Sequence, residues 1–264
     1  MIPAHFATGY YFIFWRRDSE HELRYSGPYQ TDQECRSIRG HYDNSSEIKA
    51  TSVDIYYHVR NESPPVSGGN SHLVIHEKTG TIGSSGWPGV WSNLNAALLH
   101  PNGKAYFFKG DKYQRFHFSK PEGVDKVGTI SASGWPGVWS DVDAALVHPK
   151  NGKAYFFKGD KYQRFHFSKP EGVDKEGTIS VSGWPGVWSD VDAALVHPNG
   201  NAYFFKGTSY QEFSFNTPEG VRTQSEINPL VWPGVPTPLD AAINHPNGKL
   251  YFFAGGRYDR LMAR

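Results

Sequence analysis

Cysteine is almost missing from this chain: Cys35 is the only one in 264 residues. That excludes an internal disulfide and any cysteine-rich metal site. Charge of one sign is missing too. With 27 Lys and Arg against 26 Asp and Glu the net charge is +1, so no global field draws the protein to nucleic acid or to an anionic membrane, and neither is expected as a partner. No stretch approaches the roughly 20 apolar residues of a membrane span. The apolar run from Tyr10 to Trp15 is too short for a secretion signal, and Arg16 and Arg17 follow it instead of preceding it, so neither a signal peptide nor a transmembrane segment is expected and the compartment stays open. Catalytic signatures are also lacking. There is no nucleophile elbow, no HExxH, no phosphate loop and no carboxylate pair that stands apart from the repeating background, so a non-enzyme is expected.

What the chain does have is turns, aromatic residues and repetition. It holds 28 Gly and 18 Pro, and 15% of its residues are aromatic, a composition suited to short strands joined by tight turns. The string WPGV begins at Trp87, Trp135, Trp184 and Trp232. Each is followed by a second string: NAALLHP from Asn95, DAALVHP from Asp143 and again from Asp192, and DAAINHP from Asp240. A third is KAYFFKG from Lys104 and Lys153, NAYFFKG from Asn201 and KLYFFAG from Lys249. The apolar run up to each His reads as a strand, and His-Pro-Asn-Gly as a hairpin turn, lengthened by Lys150 in the second copy. The aromatic string is a second strand. Tyr113 to Phe118, alternating in polarity, is a third, and Gly128-Thr-Ile-Ser before the next WPGV is read as a short fourth. Units of this length with three or four strands are propeller blades, in which radial repetition hides most strand edges.

These motifs resemble the hemopexin repeat, shared by hemopexin, vitronectin, the C-terminal domains of matrix metalloproteinases and the plant albumin-2 seed proteins. The resemblance covers residues 72–264 and implies a mainly β chain with a four-bladed β-propeller. Family members commonly tie the first blade to the last with a disulfide, which this chain cannot form. GTIGSSGWPGVW from Gly80 to Trp91 matches the stretches Gly128 to Trp139 and Gly177 to Trp188, so residues 72–91 are expected to supply the outer strand of the last blade. Residues 1–61 share nothing with the repeats. They read as a small α+β unit of ββαβ order: strands at Tyr10 to Arg16 and His21 to Tyr25, a capping box at Thr31 opening a helix to His41, and a strand from Val53 to Val59. Residues 62–71 read as a linker. Cys35, in the expected helix, has no neighbour to activate it and is read as a buried inert thiol.

If the strands that open each unit are innermost, the first carbonyls of Asn95, Asp143, Asp192 and Asp240 converge on the axis as oxygens suited to a hard cation. The amides of Ala97, Ala145, Ala194 and Ala242 then face an anion deeper in. The resemblance implies this arrangement, with calcium or sodium on the carbonyls and chloride on the amides. His100, His148, His197 and His245 recur once per unit, five residues on, about 16 Å along a strand. They read either as a ring for a transition metal, a haem edge or an anion, or as turn residues copied with the unit. His117 and His166, replaced by Ser214 and Met262 in the later units, read as haem ligands or as surface residues. The expected function is non-catalytic binding of a small molecule, haem among the candidates. The alternatives are a protein-binding or structural module and a multivalent carbohydrate-binding propeller.

Overall fold

The computed structural model describes residues 74–263 apart from 84–85, 120–121, 169–170 and 229–230, and before them only four strands. These are β1 (Gly9–Arg16), β2 (Leu23–Tyr29), β3 (Ile48–Lys49) and β4 (Ile55–His58), with β1 pairing antiparallel to the other three. The helix expected from Thr31 to His41, Cys35 and the 62–71 linker lie outside the described residues.

The repeats form four four-stranded antiparallel sheets. Blade 1 consists of β6 (Ala96–Leu99), β7 (Ala105–Lys109), β8 (Lys112–His117) and β9 (Gly123–Thr129). Blade 2 consists of β10 (Ala144–Val147), β11 (Ala154–Lys158), β12 (Lys161–His166) and β13 (Gly172–Thr178). Blade 3 follows with β14 (Ala193–Val196), β15 (Ala202–Lys206), β16 (Ser209–Ser214) and β17 (Gly220–Glu226). Blade 4 has β18 (Ala241–Asn244), β19 (Lys249–Ala254) and β20 (Arg257–Ala263), and its outer strand is β5 (Val74–Thr81), from the other end of the repeat array. The four opening strands β6, β10, β14 and β18 are neighbours around the axis. The fold is therefore mainly β, a four-bladed propeller.

Two local readings change. The fourth strand begins at Gly123 and Gly172, earlier than the Gly-Thr-Ile-Ser reading, while Ile130–Ser133 and Ile179–Ser182 form single helical turns, α1 and α2. The outer strand pairs on one side only and is half solvated, with no fully buried position, so it carries little of the apolar alternation that marks a strand. The hairpin turns behave as their residues require. Gly103, at φ 79°, takes the left-handed conformation that closes the turn, its N–H donating to the His100 carbonyl at 2.9 Å. Lys150 widens the second copy by one residue, and Gly152 N–H still reaches the His148 carbonyl at 2.9 Å.

Both faces of the second strand of each sheet are buried, which is why AYFFK reads as an unbroken apolar run. Ala96, Leu98, Tyr106 and Phe108 face the seam with blade 2, whereas Ala97, Ala105 and Phe107 face the seam with blade 4. Into three of the seams the connector inserts a tryptophan. Trp135 lies 5.1 Å from Tyr106 and 5.3 Å from Phe108 on one side, and 5.3 Å from Phe156 and 4.9 Å from Phe165 on the other. Trp184 sits in the same way between Phe157 and Phe204, and Trp87 between Phe253 and Phe107. The edge-to-face angles suit the ring quadrupoles. Close fit also fixes the residue before the tryptophan: a methyl group on Gly134 would meet the Tyr113 hydroxyl at 2.5 Å. Trp135→Ala is expected to cost about 3–5 kcal/mol of unfolding free energy, read by denaturant titration, with Trp135→Phe losing clearly less.

Candidate functional site

Asn95, Asp143, Asp192 and Asp240 come together. They line one axial cavity of about 300 Å³, with Leu94, Asp190, Val191 and Leu239. Each precedes its opening strand, and its N–H donates to the second strand: Asp143 N–H reaches the Phe157 carbonyl at 2.8 Å. Its side chain is engaged as well. Gly110 N–H donates to Asn95 Oδ1 at 2.7 Å, Gly159 to Asp143 at 2.7 Å, Gly207 to Asp192 at 2.6 Å and Gly255 to Asp240 at 2.6 Å. Amide or carboxylate serves equally as acceptor, which accounts for Asn95 in the first copy. Burial raises the carboxyl of Asp143 above its usual range, against the Gly159 hydrogen bond that lowers it, and the nearby charges of Asp190 and Asp192 raise it further. Burial likewise raises Asp240. Cations are close as well: Lys158 and Lys109 lower the carboxyls of Asp143 and Asp240, and Lys206 lies 3.8 Å from Asp190, so the acidic groups at the mouth are partly balanced. Asp190 was not singled out from the sequence. Its signal was the Asp-x-Asp spacing with Asp192, and its φ of 51° holds it in the left-handed region uncommon for a side-chain-bearing residue.

Ala97, Ala145, Ala194 and Ala242 line a second axial cavity of about 180 Å³. Its wall is aliphatic except for Asn244, which stands where the other units have Leu99, Val147 and Val196.

The recurrent histidines lie in the blade seams, apart from the lining of both cavities. Nδ1 of His100 accepts the Asn102 N–H at 2.9 Å, that of His148 the Lys150 N–H, and those of His197 and His245 the N–H groups of Asn199 and Asn247, each at 3.1 Å. The rings of His100, His148 and His245 rest on Phe167, Phe215 and Phe118 of the next blade at 4.3–4.4 Å. Burial lowers the His100 pKa to about 4 and also lowers those of His148 and His245. His117 and His166 end the third strands of separate blades, and each bonds within its own turn, to Ser119 and to Ser168. Among the described residues no three His, Cys, Asp or Glu side chains are grouped to hold a metal, and no helix is long and apolar enough to cross a membrane.

The sequence reading also missed Gln114, Gln163 and Gln211, buried in the third strands. Gln163 accepts the Trp139 N–H at 3.0 Å and donates to the Gly137 carbonyl at 3.0 Å, so it fastens the WPGV turn to the blade. The Tyr-Gln-Arg-Phe alternation carried the signal, as a polar residue on an inward position.

A depressed histidine pKa has a defined sign. Between the unfolded value of 6.5 and about 4 the unfolded chain binds a proton at His100 that the folded chain does not. This contribution to stability is full above 6.5 and declines as pH falls through that window. An NMR titration is expected to keep the His100 ring neutral down to about pH 5.

The Hemopexin family model matches residues 94–140 and 142–189 of this chain. No curated protein matches it. Among solved structures it is similar to the hemopexin fold protein CP4 from cow pea, at 20% identity and a TM-score of 0.55, over 66% of this chain and 92% of that one. A 2S albumin seed protein from Dolichos gives 20% identity and a TM-score of 0.54, over 64% and 86%. A plant lectin with two metal binding sites from Cicer arietinum gives 20% identity and a TM-score of 0.50, over 63% and 85%. At these identities the likeness speaks for the fold.

Proposed function

The propeller of this chain is built of hemopexin repeats, and from that premise we propose that the protein is a non-catalytic binding module whose axial mouth holds a hard cation, calcium or sodium. The observation that carries the reading is the convergence of Asn95, Asp143, Asp192 and Asp240 on one acidic cavity. One oxygen of each side chain already accepts a hydrogen bond from a turn amide; the reading places the ion on the main-chain carbonyl oxygens, with the second carboxylate oxygens of the Asp residues nearby, and hard oxygen is what calcium and sodium take. The neighbouring carboxylates supply the field. A bound cation would neutralise part of it and lower the raised carboxyls of Asp143 and Asp240. Chloride on the amides of Ala97, Ala145, Ala194 and Ala242 belongs to the same reading, as the anion below the cation.

The cargo is proposed as a small molecule, haem among the candidates. His117 and His166 are the histidines on the propeller surface for it, each on its own blade. A protein partner and a carbohydrate are the other two readings. The Cicer arietinum lectin favours the carbohydrate, with Trp91, Trp139 and Trp188 as the half-exposed aromatic faces, since the first tryptophan of each WPGV is buried.

Calcium titrated into chelator-treated protein, followed by calorimetry, is expected to give one saturable site. Asp143→Asn, which keeps the acceptor for Gly159, is expected to weaken it by roughly tenfold or less, the scale of one partly screened charge. Absence of heat with both calcium and sodium contradicts the cation reading. A haemin titration read by absorbance, with a His117→Ala/His166→Ala variant, is expected to saturate in the parent and to lose its ligand bands in the variant. Equal titrations contradict the haem reading.

A further inference from the structure

Three blades fasten their connectors alike. The buried glutamines Gln114, Gln163 and Gln211 accept the N–H of Trp91, Trp139 and Trp188 and donate to the carbonyls of Gly89, Gly137 and Gly186. Blade 4 departs from this pattern at every point. Where Trp91 stands in the first copy it has Pro236, which has no N–H to give. Where Gln114 stands it has Asp259. Its outer strand β5 carries His76 in place of Val124, Val173 and Val221, and Thr79 in place of Val127, Glu176 and Gln224.

The substitutions meet in one place. The Asp259 side chain is 1% exposed, and it accepts from His76 Nε2 at 2.9 Å, from the Thr79 hydroxyl and from the Arg257 guanidinium at 3.2 Å. His76 rests on Gly234, where an added methyl would meet the ring at 2.6 Å, as Val173 rests on Gly137. The remaining charges on this edge, Glu77 with Lys249 and Arg260, repeat the arrangement of Asp125 with Lys104 and Arg115, and of Asp174 with Lys153 and Arg164. They do not set blade 4 apart. Asp259 does: an ionised group stands where the other blades have an amide, and two of its three donors come from the strand that closes the ring.

We propose that Asp259 is the acid-labile key of ring closure, its ionised carboxylate holding β5 on β20 through His76 and Thr79, so that neutralising it releases β5 while the glutamine-fastened blades keep their outer strands. A buried carboxylate stripped of charge loses its charge-assisted bonds, and the donors lose their acceptor. Burial raises the Asp259 pKa, but the hydrogen bonds from His76 and Thr79 and the charge of Arg257 outweigh it and hold it below the usual 3.8. The contribution is therefore present above 3.8 and is lost as pH falls through the depressed folded value. The triads around Asp125 and Asp174 also protonate in acid. They are a third exposed and worth little, and any loss they cause falls on β9 and β13, opposite to the selective loss expected of β5. What is keyed is also the strand by which the chain enters the ring.

Hydrogen exchange of the intact chain tests this, comparing the amides of β5 with those of β9 and β13 in the same molecule, from about pH 7 to about pH 3, after correction for intrinsic rates. Selective loss of β5 protection in acid, about tenfold or more relative to β9 and β13, is the expected result. Asp259→Asn is expected to show the same selective loss at neutral pH. If this variant does not fold, the pH series of the parent protein decides alone. Protection that falls together in all three strands, or a folded Asp259→Asn with β5 as protected as before, overturns the proposal.

Discussion

A buried tryptophan, supplied by a connector and belonging to neither sheet, fills each of three described blade seams. Trp87, Trp135 and Trp184 each touch aromatic rings of two blades at 4.9–5.5 Å. A single four-stranded sheet has two apolar faces and cannot bury either alone. The wedge solves this for two sheets at once, and the rest follows from it. The glutamine that binds the turn exists to hold the wedge in place, the glycine before it makes room for a tyrosine, and the phenylalanine past the third strand of blades 1, 2 and 3 completes the seam over the histidine of the preceding blade.

The repeat arithmetic made the fold legible because each structural demand recurs at the same offset: wedge, opening strand, hairpin, aromatic strand. Asp143 and its counterparts could be placed together in advance, since four-fold repetition converts one sequence position into a ring. The outer strands were less legible, because Gly123–Thr129 is half solvated and shows no clean alternation. The histidines illustrate a different limit. Recurrence placed them at equivalent points in the blades, but whether a ring faces the axis or a seam depends on the pleat of the strand before it and on a phenylalanine from the next blade, neither of which a single unit contains. Gln163 and Asp259 were illegible for the same reason, as their partners are on the connector or on β5.

Copying gives symmetry at no selective expense, so information lies where the copies differ. Along the axis the difference is modest: Asn95 for Asp at the mouth and Asn244 for an aliphatic residue at the far cavity. At the ring closure the differences are several and mutually dependent, because removing the Trp N–H at Pro236 leaves a glutamine acceptor without its donor. A chain with one cysteine cannot staple its ends, and the closing blade uses charge where its neighbours use amides. Binding chemistry at the mouth and closure chemistry at the rim are thus separate products of the same repeated unit.

The claim on which everything rests is that the wedges couple the blades into one cooperative body. Native-state hydrogen exchange of the amides in β6, β10, β14 and β18, followed against low concentrations of denaturant, tests it directly. Coupled blades give a single opening free energy and a single denaturant slope for all four strands. Distinct values from blade to blade, each with a small slope, would mean that the blades open independently and that the tryptophans do not join them.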